Sequence, residues 1–168
     1  MRVLLMAFLA FSTTTAFASE PLLGMRFSDC DTESKYFDFD YSVEYMSGNE
    51  EFEAEIFRKK DSKNCKGKAH FAIGRIWKYE VHGNELITTL ERVKVIITNP
   101  DLIDPFNKNA ICGVSNWKIN EFVSCEGKNV VGLEGIPGYR TIHQFKLKGK
   151  ELHLTEENGD KFKLIQDN

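Results

Sequence analysis

Residues 138–168 leave the chain little choice but to fold as an antiparallel meander. Three runs of alternating apolar and polar side chains are separated there by Gly149-Lys150 and by a turn containing Asn158-Gly159. Gly in the first place of a two-residue loop accepts the positive φ of a type II′ turn without steric cost. That loop pairs Lys148 with Glu151, Leu147 with Leu152 and Phe145 with Leu154. One apolar face forms, and Lys146 and His153 share the wet one. At the next turn, a two-residue loop would set Leu154 against Lys163 and put Phe162 on the polar face. A three-residue loop, Glu157-Asn158-Gly159, sets Leu154 against Phe162 and Leu152 against Leu164. A slip of one residue exposes the whole apolar set, so the three-residue loop is predicted.

A near copy of this unit lies 66 residues upstream, where Tyr79-Glu80-Val81-His82-Gly83-Asn84-Glu85-Leu86 matches Phe145-Lys146-Leu147-Lys148-Gly149-Lys150-Glu151-Leu152. Two copies make no solenoid, and both read as hairpins of one meander. The clearest alternation is Phe37, Phe39, Tyr41, Val43 and Tyr45 on one face against Asp38, Asp40, Ser42 and Glu44 on the other, a half-buried strand. Phe52, Ala54 and Ile56 then alternate with Glu53 and Glu55, and the apolar set is expected inside. Residues 69–81 and 85–98 read as two long strands. In the second, apolar parity shifts from Leu86 and Leu90 to Val93, Val95 and Ile97, which requires a bulge or tight turn near Glu91-Arg92. Pro100 and Pro105 exclude an interior strand over residues 99–110, where residues 101–106 suit one helical turn. Trp117, Ile119 and residues 122–125 read as a short hairpin. The sum is about nine or ten strands with almost no helix, an all-β antiparallel meander barrel or sandwich.

Residues 1–18 read as a secretory signal: Arg2, an apolar core from Val3 to Ala10, and Ala16-Phe17-Ala18 as a small-x-small cleavage site. The remaining 19–168 are expected to form a single domain, exported to the periplasm or the medium. No later apolar run approaches a membrane span. The absence of an Asn-x-Ser/Thr sequon fits a bacterial origin. The net charge of −3 at pH 7 excludes nucleic acid as a general partner. The four cysteines, Cys30, Cys65, Cys112 and Cys125, allow three pairings as two disulfides. Cys30–Cys65 and Cys112–Cys125 are expected, because a turn near Asn120 would bring the ends of the second loop together. In the chain-entropy treatment each bridge contributes roughly 3–4 kcal/mol.

Signatures of chemistry are few. The chain has no Gly-x-Ser-x-Gly elbow, no phosphate loop and no His-Glu-x-x-His, so no enzymatic activity and no cofactor are expected. His70, His82, His143 and His153 lack ligand spacing and are expected at the wet surface. Asp29, Asp31 and Glu33 alternate like the opening of a calcium loop, but Ser34 stands where that loop needs Gly, and no metal site is expected. Six cations in residues 58–68 form a basic loop that either grips an anionic surface or is simply solvated. The aromatic residues either line a ligand cavity or fill the interior. Phe39, Tyr41, Trp77, Tyr79 and Phe145 are the lining expected if a cavity exists.

Gly24 near the first strand, the repeated apolar-x-apolar-x-Gly-x-x-Leu hairpins and the long closing unit resemble the calycin or lipocalin-like group of small exported β-barrels. Cys30, Asp61-x-x-x-Cys65 and Phe71-x-x-Gly74 resemble the lipocalin-like domains of the adenomatosis polyposis coli down-regulated type. The lipocalin opening Gly-x-Trp is here Gly24-Met25-Arg26, so no functional residue carries over. The resemblance implies a ligand-binding or protein-binding barrel, and the first reading is a monomer that binds a small apolar molecule or lipid. The other reading is a protein-interaction module, such as an inhibitor of a secreted hydrolase, acting through residues 58–68 or 99–110.

Overall fold

The computed structural model describes residues 21–60, 65–125 and 136–167, so the signal sequence expected at 1–18 lies outside the described residues. Nine strands follow one another: β1 (Arg26–Asp31), β2 (Phe37–Met46), β3 (Glu50–Lys59), β4 (Ala69–His82), β5 (Glu85–Ile97), β6 (Phe122–Ser124), β7 (Arg140–Lys148), β8 (Glu151–Glu156) and β9 (Lys161–Gln166). Hydrogen bonding runs β4-β3-β2-β1-β9-β8-β7-β5, and β4 also pairs with β5, which closes eight antiparallel strands into a barrel. The ninth strand, β6, lies outside the circuit. It pairs with Lys94, Val95 and Ile96 of β5, while Glu85–Thr89 of the same strand pair with β7.

The closing meander has the predicted registers. Lys148 faces Glu151, Phe145 faces Leu154, Leu154 faces Phe162 and Leu152 faces Leu164. Gly149 takes φ 63° and Gly159 φ 92°. Glu156 N–H donates to Asp160 C=O at 2.9 Å across the three-residue loop. The parity shift in β5 is a bulge: Ile76 pairs with Arg92 and Trp77 with Leu90, leaving Glu91 as the extra residue.

Two apolar clusters occupy the barrel's ends. At one, Phe27, Val43, Tyr45, Tyr79, Leu86, Leu152, Leu154 and Leu164 close over Leu22 of the segment before β1. At the other, Phe71, Ile73, Val93, Val95 and Ile97 pack beneath a cap. The cap is a 3-10 turn (Pro100–Leu102) running into α1 (Ile103–Lys108), which buries Phe106. The short hairpin expected around Trp117 does not form. Only residues 122–124 are strand, because Trp117 is used by the cap instead: its ring meets Phe106 edge-on at 5.3 Å and its Nε1 donates to Ile111 C=O. Asn120 is left-handed, φ 60°, as a turn there requires. The disulfides are Cys30–Cys65 and Cys112–Cys125. The second ties the cap to the end of β6, where Cys125 N–H also donates to Val93 C=O.

Strand β3 runs opposite to expectation. Its period of two is as predicted, but Glu51, Glu53 and Glu55 are buried and Phe52 is 37% exposed on the outer wall. The alternation defines two faces without saying which is inner, and the partner strand decides. Register places Glu53 beside Arg75 and Glu51 beside Trp77 on β4, both inward. The outward Phe52 ring lies over Gly74, where a Cβ would come 3.3 Å from it. The glycine supplies the space that lets a large apolar ring rest on the outside.

Candidate functional site

Between the two apolar clusters the barrel is hollow. The cavity measures about 770 Å³, within the range of small-molecule sites. Phe39, Tyr41 and Trp77 line it, as do Val43, Leu86 and Leu154. Tyr79 and Phe145 do not: Tyr79 is fully buried in the cluster at the Leu22 end, and Phe145 packs against that same cluster. The cavity meets solvent where its lining is exposed, at Asp29, Asp31, Tyr139, Lys161 and Phe162.

The wall contributed by β3 and β4 is polar and fully organised except at one atom. Arg75, 4% exposed, donates Nη1 to Glu53 Oε1 at 2.5 Å and Nη2 to Glu55 Oε2 at 3.0 Å. The remaining Glu53 oxygen accepts from Trp77 Nε1 at 2.8 Å. Two buried carboxyls thus meet one guanidinium, and a third on the same strand, Glu51, is 6% exposed with its Oε2 unpartnered. Burial pushes the Glu51 carboxyl up to about 8, the Glu53 charge beside it adds to the rise, and a hydrogen bond with Tyr45 works the other way. Burial also raises Glu53, against the pull of Arg75. Desolvation and the same carboxylates hold the Tyr41 and Tyr45 phenols well above their ordinary value. A buried polar row of this kind is tolerated only because most of its lone pairs and donors are used.

The adjoining stretch of wall comes from β5, which pairs with β4, and from β7. Thr88 and Thr141 share a hydrogen bond at 2.7 Å, and Thr141 Oγ1 lies 2.9 Å from His143 Nε2. His143 lines the cavity with Nδ1 buried and unpartnered. It is therefore not the solvated surface histidine its sequence context suggested, and burial lowers its basicity. His70 is half-buried too, 2.6 Å from Asn99 Nδ2 and edge-on to Phe37. His82 and His153 stand beside Glu80 and Glu151 near the surface.

No group of His, Cys, Asp and Glu suited to a metal ion occurs among the described residues. The two loops singled out in the sequence are not free arms where they are described. Residues 99–110 form the cap, with Phe106 in the core. In the basic loop, Arg58 is held by Asp40 at 2.8 Å and Lys60 by Asp38 at 3.0 Å, while residues 61–64 lie outside the described set.

The chain is a closed eight-stranded antiparallel barrel around a cavity, an arrangement consistent with a calycin-like fold. No family model matches the chain, and no curated protein matches its sequence. Sequence reasoning missed Glu51, Glu53, Glu55, Arg75 and His143 as interior residues. The signal that could have found them is the register: three glutamates at period two face Arg75-x-Trp77 across one turn of the meander.

Proposed function

We propose that this is an exported, lipocalin-like binding protein that holds a small molecule with an apolar body inside its barrel and catalyses no reaction. The observation that carries the reading is the cavity of about 770 Å³, walled by Phe39, Tyr41, Val43, Trp77, Leu86 and Leu154. A filled barrel would have no such space, and an apolar wall with few oriented polar groups is the usual make-up of a small-molecule site. Outside the barrel Asp40, Ser42 and Glu44 of β2 and Lys146 and Lys148 of β7 alternate with inward apolar residues. No helix among the described residues is long and apolar enough to cross a membrane. Two disulfides suit the oxidising compartment that export implies.

Native mass spectrometry of protein gently purified from its host's periplasm or medium tests this reading. A discrete adduct of a few hundred daltons is expected on the wild type and missing from Phe39→Ala, with cooperative unfolding retained in the variant. Phe39 stacks edge-on to Phe57 at 5.1 Å but is only half-buried, so its loss should enlarge the cavity without collapsing the core. A bare wild-type mass, with no apolar dye displacing water from the barrel, would defeat the proposal.

A further inference from the structure

Resting on that binding reading, we infer that the cavity selects ligands bearing a positively charged amino group, which Glu51 Oε2 receives beside Tyr45 and Trp77. Four observations converge on this ligand class. Glu51 is 94% removed from solvent, yet one of its carboxyl oxygens has no partner, and the residue lines the cavity. A buried acceptor without a donor is costly, and a ligand N–H is the group that would relieve it.

The other acidic groups of this wall are already committed. Glu53 spends both oxygens on Arg75 and Trp77, and Glu55 is held by the second edge of the guanidinium. The Arg75 charge is thus already shared by two carboxyls, and an anionic ligand approaching it would also meet Glu51, Glu53 and Glu55. This separates a cation from a fatty acid or a phosphate ester as the occupant.

The absence of a metal-binding group of carboxyls among the described residues also separates an organic ammonium, whose charge would hold Glu51 ionised, from a divalent metal ion. Calcium or magnesium demands six or more oxygen ligands, several of them carboxylate or carbonyl. An ammonium is satisfied by one charged acceptor together with aromatic faces. The register supplies those faces, since Tyr45 on β2 and Trp77 on β4 flank Glu51 directly on the inner side of the sheet. The apolar lining of Val43, Leu86 and Leu154 then takes the body of the molecule.

Three dansyl probes of one shape distinguish the outcomes: dansylcadaverine, which carries a primary ammonium, its neutral N-alkyl dansylamide counterpart, and a dansyl amino acid whose free end is a carboxylate. Fluorescence titration at pH 8 should show the ammonium probe binding about ten- to a hundredfold tighter than the neutral one, the range that a charge-assisted hydrogen bond spans. The carboxylate probe should bind weakest. Glu51→Gln should erase the preference of the ammonium probe over the neutral one. Equal binding of ammonium and neutral probes, or a preference that survives Glu51→Gln, would overturn the inference and leave the binding barrel standing. No binding of any probe would overturn both.

Discussion

Arg75→Met is expected to destabilise the protein by about 3–5 kcal/mol at pH 8, the usual cost of removing one member of a buried ion network. The methionine fits the volume, so the loss is electrostatic: Glu53 and Glu55 would remain in a low-dielectric interior without their shared cation. Glu53 has one escape, which is to take up a proton. Burial already holds Glu53 above the ordinary carboxyl range with Arg75 present, and removing the guanidinium raises it further. A carboxyl whose folded pKa exceeds its unfolded value binds more protons folded than unfolded between the two, so stability increases as pH falls through that window. The defect of Arg75→Met should therefore be largest at pH 8 and shrink toward pH 5. Urea unfolding at the two pH values checks it. An equal loss at both would mean that Arg75 contributes by packing rather than by compensating charge.

Glu51→Gln should do the opposite and stabilise the empty barrel. The Glu51 carboxyl is pushed from 4.5 to about 8 by burial and by Glu53. Above about pH 8 the folded state must hold a charge that the unfolded chain carries freely in water. The sign follows from the same linkage: below pH 4.5 both states are protonated and the substitution is neutral. Between 4.5 and 8 the wild type loses stability steadily as pH rises. Above 8 the difference is constant, about 3–5 kcal/mol at ~1.4 kcal/mol per pH unit. His143 titrates in the contrary sense, since burial lowers its pKa and acid must force a proton onto it. It is common to both proteins and cancels from their difference. Thermal unfolding of the pair from pH 4.5 to 9 should give curves that diverge upward with pH. Parallel curves would place Glu51 in contact with bulk water. A substitution that stabilises the protein while removing ligand selectivity is the pattern expected when a site keeps an unsatisfied group for its ligand.

Much of this architecture was legible because turn chemistry and alternation act locally. Gly149-Lys150 and Glu157-Asn158-Gly159 fix three strands and their registers by themselves. The parity change across Glu91-Arg92 likewise announced the bulge. What local patterns do not contain is which face of a mixed strand turns inward. For β2 the answer follows from hydrophobicity, as Phe39, Tyr41 and Val43 oppose aspartate, serine and glutamate. For β3 it does not, because the cost of burying Glu51, Glu53 and Glu55 is offset by residues some twenty positions away, Arg75 and Trp77. Trp117 misled for a related reason. Its neighbours suggested a strand, but the cavity end needed a lid, and Phe106 and the Cys112–Cys125 bridge recruit it there.

The turn joining β2 to β3 decides the character of the interior without touching it. Gly48 and Asn49 both take positive φ, 77° and 58°, and Asn49 C=O accepts the Tyr79 N–H at 2.9 Å, which locks the turn to β4 as well. With Glu51, Glu53 and Glu55 inward, the barrel is an acid-lined vessel. With the strand threaded one residue further, Phe52, Ala54 and Ile56 would replace them and the same scaffold would become a greasy plug. In a closed sheet, chemistry is a matter of parity, and here three residues at the rim, Ser47-Gly48-Asn49, set it for an entire wall.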